Sequence, residues 1–100
     1  MNKFEIPRIS DRRPLRILVD GRVRSRQVYV DLFDLSEGGC KIKGRHGFVT
    51  EGETVNLKIA GFKTPLGTVA WVENEYAGIA FEGRLHPAVL DHIFKIRADN

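Results

Sequence analysis

The chain has 100 residues, 42% of them hydrophobic and 29% charged, with a formal net charge of +3. That suffices for one domain with one modest core, in the composition range of folded rather than disordered proteins. A single cysteine excludes an internal disulfide and a cysteine-rich zinc site. No apolar run approaches the roughly 20 residues of a membrane span, and the mixed, charged first residues lack a signal core, so a cytoplasmic protein is expected.

The first segment carries the charge excess. Lys3, Arg8, Arg12, Arg13 and Arg16 outnumber Glu5 and Asp11, while the rest of the chain balances. Such an arm attracts anions: phosphate groups, nucleic acid or an acidic protein surface. Pro7 and Pro14 interrupt it and no sustained period runs through it. Residues 1–13 are therefore expected to form a flexible basic arm, and residues 14–100 a folded domain.

From Leu15 to Phe81 short β-type segments alternate with Gly and Asn turns. Leu15–Val19, an Asp20-Gly21 turn and Arg22–Leu32 read as a hairpin. Asp34-Leu35-Ser36-Glu37-Gly38-Gly39 breaks the pattern, and Cys40–Lys43 then alternates. Thr54–Ile59 sets Val55, Leu57 and Ile59 on one face. Gly67–Val72 and Ala77–Phe81 form a further pair around Glu73–Tyr76. Many short strands at this spacing favour a small barrel or a sandwich. The last stretch changes period: Leu85, Val89 and Ile93 recur every four residues beside Leu90 and Phe94. With Pro87 in its first turn, Pro87–Arg97 reads as an amphipathic helix covering an open end or face of the barrel.

Two motifs carry chemistry. Arg12-Arg13-Pro14-Leu15-Arg16 is R-x-x-x-R with an extra arginine inside, and Arg8 fits the same spacing to Arg12. Guanidinium groups pair bidentately with phosphate oxygens or the O6/N7 edge of guanine, and stack on bases. The second motif, D-x-S-x-x-G, offers Asp34 as an acceptor for guanine N–H groups and Ser36 as a hydrogen-bonding hydroxyl. Gly38 and Gly39 can adopt positive φ and bring backbone N–H groups close to a ligand. Each motif alone has an ordinary reading: solvated charge for the arginines, a locally capped turn for the loop. Their joint occurrence in this order is the specific signal.

The arrangement resembles the PilZ domain, a bacterial receptor module for cyclic di-GMP. Arg12 and Arg16 match its arm motif, and Asp34, Ser36 and Gly39 match its [D/N]-x-S-x-x-G loop. Gly67–Val72 and Gly78–Phe81 resemble its closing strands. The resemblance implies a six-stranded antiparallel β-barrel with a C-terminal α-helix. It also implies a non-catalytic receptor that uses no cofactor and passes its signal to a downstream protein. Arg12 and Arg16 would hold phosphates and a guanine, Asp34 and Ser36 would read the guanine edge, and Gly39 would let the loop close. Arg13 would add a phosphate contact, with Arg8 and Gly38 auxiliary. A fold-retaining interaction module that binds no nucleotide, or a small barrel binding single-stranded nucleic acid, are the alternatives. The intact motifs argue against the first. Dispersed aromatics argue against DNA or RNA as ligand.

Other residues have plainer readings. Trp71 could stack on a base, but sharing a strand face with Val69 assigns it to core or barrel-wall packing. His46, His86 and His92 are too scattered for a metal site and read as solvated. Cys40 has no histidine spaced to activate it and reads as a buried small side chain. No nucleophile–base arrangement, P-loop or dinucleotide fingerprint occurs, so no enzyme activity is expected.

Overall fold

The computed structural model describes residues 17–98. The arm, residues 1–13, and the expected strand start at Leu15 lie outside them. Seven strands and one helix follow in order: β1 Ile17–Val23, β2 Arg26–Leu35, β3 Gly39–Lys43, β4 Thr54–Ile59, β5 Phe62–Lys63, β6 Gly67–Glu73, β7 Tyr76–Phe81 and α1 Pro87–Ala98. All pairings are antiparallel, in the order β1-β2-β3-β7-β6-β4-β5, and β1 also pairs with β4. That extra pairing closes six strands into a barrel. The two-residue β5 only folds back on β4.

The first hairpin turns four residues later than its sequence signal. Asp20 and Gly21 lie within β1, and the reversal falls at Arg24-Ser25, where Val23 pairs with Arg26 and Arg24 takes φ 60°. Gly21 serves closure instead. It pairs with Val28 of β2 and Leu57 of β4. A Cβ there would stand 2.6 Å from Leu57 Cδ2 and 3.0 Å from the Asn56 carbonyl oxygen, so only glycine lets β4 close the ring at this point.

Inside, the β-branched and leucine positions of the alternating strands meet. Val19, Val23, Val30, Leu32, Ile42, Val55, Leu57, Ile59, Val69 and Ile79 are all buried in one cluster. Each buried aliphatic side chain contributes about 1.5–3 kcal/mol. Cys40 is wholly buried among them, and loss of hydration pushes its thiol pKa far up. The helix adds Leu90 and Ile93 to the cluster, with Val89 and Phe94 packed partly against it. The predicted stripe therefore faces the barrel.

The helix start is built locally. Pro87 opens it, where its missing N–H costs nothing. The backbone N–H of Ala88 donates to His86 Nδ1 at 3.0 Å, so this exposed histidine is an N-terminal cap rather than merely solvated.

Candidate ligand-binding face

The Asp34–Gly39 segment joins β2 to β3 and is fastened from both sides. Within it, the Ser36 N–H donates to the Gly39 carbonyl at 2.9 Å. The Ser36 hydroxyl donates to the same carbonyl at 3.3 Å and accepts from the Gly38 N–H at 3.3 Å. Outside it, the Phe81 N–H donates to the Gly38 carbonyl and the Leu85 N–H to the Glu37 carbonyl, at 2.9 and 2.8 Å. The loop is thereby tied to the end of β7 and to the approach to the helix.

Ser36 is completely buried, and its hydroxyl has both roles filled within the turn. Neither Gly38 nor Gly39 takes positive φ; the glycines that do are Gly47, Gly52 and Gly61. Gly39 is already in extended β3 opposite Ala80. The glycine pair thus serves tight strand entry, not a left-handed turn.

Asp34 owes its position to a β-bulge. Leu32 pairs with Ile42 and Leu35 with Cys40, so Phe33 and Asp34 together oppose Lys41. Leu32, Leu35, Cys40 and Ile42 point inward. Lys41 therefore points outward, and the Asp34 carboxylate reaches its Nζ at 3.8 Å. Both groups are partly solvated, so this pair is worth about 0–1 kcal/mol. Phe33 meets Tyr76 with ring centroids 5.7 Å apart. Lys41 and Lys43 hold their ammonium groups 5.6 and 5.4 Å from the Tyr76 ring centre, a cation–π geometry.

A second bulge governs Trp71. Val69 pairs with Ile79 but Trp71 pairs with Gly78, leaving Ala70 extra. Neighbouring residues of β7 face opposite ways, and Ile79 is in the core. Trp71 therefore lies on the outer surface, not on Val69's face as simple alternation predicts. Its indole occupies the space a Gly78 Cβ would fill. It is only 9% exposed yet sits outside the core cluster.

The two bulges compose one row across four strands: Asp34 on β2, Lys41 on β3, Gly78 on β7 and Trp71 on β6. Such a row spans about 14 Å and presents an acceptor, a cation and an aromatic ring on one wall. Sequence reasoning does not single out Lys41 or Tyr76, and it assigns Trp71 to core or barrel-wall packing. The Cys40–Lys43 alternation already set Lys41 opposite Ile42, but the bulge at Ala70 leaves no comparable mark. Arg8, Arg12, Arg13 and Arg16 lie outside the described residues. Arg16 is bonded to Ile17, and Ile17 pairs with Leu32, two residues before Asp34.

Among the described residues no group of three or more His, Cys, Asp or Glu could hold a metal ion, and no helix is long and apolar enough to cross a membrane. The described residues thus form a six-stranded antiparallel barrel with one C-terminal helix and a polar, aromatic outer wall. The sequence model of the PilZ domain matches residues 7–96, and the chain belongs to that family. No curated protein matches it.

Proposed function

We propose that this PilZ domain is a non-catalytic cytoplasmic receptor for cyclic di-GMP that orders its N-terminal arm on binding and signals to a partner protein. The observation that carries this reading is the juxtaposition of Asp34 with the start of β1. Arg16 is bonded to Ile17, whose partner Leu32 lies two residues before Asp34, so in sequence the arm motif leads directly into the strand that pairs beside the Asp34 loop. Both also fall within the span of the family match.

In this reading Arg12 and Arg16 clamp phosphates and a guanine face, Arg13 adds a phosphate contact and Arg8 assists. Asp34 accepts from the guanine N–H groups. Its ion pair with Lys41 is weak enough to yield to the ligand, leaving Lys41 to face a phosphate. Ser36, Gly38 and Gly39 act by holding the loop that aims Asp34. Recruitment of a basic arm by a dianion converts nucleotide level into surface shape.

Titration calorimetry with cyclic di-GMP tests it. Wild type binds in the micromolar range or tighter, and Arg16→Ala and Asp34→Ala each lose about 10- to 150-fold with the domain folded. Undetectable binding by folded wild type overturns the reading.

A further inference from the structure

A second surface lies diametrically across the barrel. In the ring β1 stands opposite β7 and β4 opposite β3, so the outer wall of β4 and β1 faces away from the Lys41–Gly78 row. Asp20, Gly21, Arg22, Gln27, Asn56, Lys58 and Lys63 line a concavity there of about 340 Å³. Register explains its membership. Asp20 pairs with Lys58 and Arg22 with Asn56, while Lys58 also pairs with Lys63 of β5. Three cations share the hollow with one carboxylate.

Its border is apolar. Leu18 is 70% exposed and Tyr29 66% exposed. Leu18 opposes Asp31 and Tyr29 opposes Asp20, so both side chains stand on the same outer face, diagonal to each other across the β1–β2 ladder. An aliphatic and an aromatic side chain beside a net-positive hollow are anchor and charge for one kind of partner.

We infer that the outer wall of β4, β1 and β2 docks an acidic segment of a partner protein, its apolar side chain on Leu18 and Tyr29 and its carboxylates on Arg22, Lys58 and Lys63. A second copy of this chain is the wrong occupant, because a two-fold interface would set the same cations against one another. Nucleic acid is also a poorer fit. Asp20 lies within the hollow, and Leu18 offers no stacking surface. The inference does not rest on nucleotide binding, since Arg22, Lys58 and Lys63 are not among the residues assigned to the nucleotide.

The test is a ¹⁵N-resolved NMR titration of the whole chain with a synthetic peptide alternating Glu with Leu and Phe. The matching Lys peptide and an oligothymidylate are run in parallel. The acidic peptide is expected to shift the amides of Leu18, Arg22, Asn56 and Lys58 and to weaken as salt is raised. Arg22→Ala with Lys58→Ala is expected to lose about tenfold in affinity, and Lys95→Ala on the helix none. Absence of acidic-peptide binding, shifts mapping to other strands, equal binding of the Lys peptide, or tighter binding of the oligothymidylate each overturns the proposal. So does concentration-dependent dimerisation through these same residues. Mapping on wild type decides the matter even if the double variant folds poorly, and loss of cyclic di-GMP binding alone leaves these shifts in place.

Discussion

The indole of Trp71 lies over Gly78, in the volume that a β-carbon at position 78 would occupy. The two residues face each other across the β6–β7 ladder, beside Lys41 on β3. The glycine is what makes room for an aromatic ring against the outer wall of the barrel.

Gly78→Ala must therefore displace the ring. Overpacking of this kind costs about 1–3 kcal/mol, measurable by urea denaturation. Because Trp71 is the chain's one tryptophan, its emission reports the displacement directly. Cyclic di-GMP bound on the proposed wall changes the same emission in wild type and much less in Gly78→Ala. Unchanged emission at saturating nucleotide would place the ligand elsewhere.

Asp34 and Ser36 belong to one motif but should fail differently. Ser36→Ala removes a buried hydroxyl and leaves the Gly38 N–H without its acceptor, at a cost of about 1–3 kcal/mol in stability. Asp34→Asn keeps the side chain's shape and weakens a partly solvated ion pair with Lys41, worth about 0–1 kcal/mol, while nucleotide affinity falls. Thermal melts alongside calorimetry separate the two effects. A stable Ser36→Ala variant with lost affinity would assign the hydroxyl to the ligand instead.

The displaced hairpin turn makes opposite predictions at two positions. Gly21→Ala drives a methyl into Leu57 and the Asn56 carbonyl, costing about 1–3 kcal/mol. Arg24→Gly relieves a left-handed residue at φ 60°, a conformation that costs about 1–2 kcal/mol for a residue with a Cβ, less the added chain entropy of glycine. It should be neutral to mildly stabilising, since the exposed Arg24 makes only a long contact to Glu53. A turn at Asp20-Gly21 would give no gain at Arg24.

Burial raises the Cys40 pKa above its ordinary value of 9.0. The folded state then keeps the proton while the unfolded thiol ionises. The stability from the buried thiol is complete below about pH 9 and declines by roughly 1.4 kcal/mol per pH unit above it. The stability difference between wild type and Cys40→Ala should shift in favour of the alanine variant from about pH 8 to about pH 10. In native buffer the thiol should react with iodoacetamide only at the rate of global opening. Fast labelling of folded protein would contradict its position between Leu35 and Ile79.

Much of the molecule is determined by local sequence. Period-two alternation placed Val55, Leu57 and Ile59 inside, and period-four spacing placed Leu90 and Ile93 under a helix, because each pattern has only one way to bury its apolar face. The Asp34–Gly39 motif marked the loop, since Asp, Ser and Gly together have few other uses. Tertiary structure decided the rest. Asp20-Gly21 carries a turn's composition, but closing β1 onto β4 demanded a residue without a Cβ there, and the reversal moved to Arg24-Ser25. Trp71 carries Val69's parity, but the bulge at Ala70 turned it outward over Gly78. Ser36 is polar in sequence, but the strand ends enclosed its hydroxyl within its own turn. Bulges and barrel closure are agreements between strands distant in sequence, and no single segment encodes them. The chain by itself specified which polar and charged residues stand in the two motifs; the pairing of β2, β3, β7 and β6 decided that Asp34, Lys41 and Trp71 share one wall.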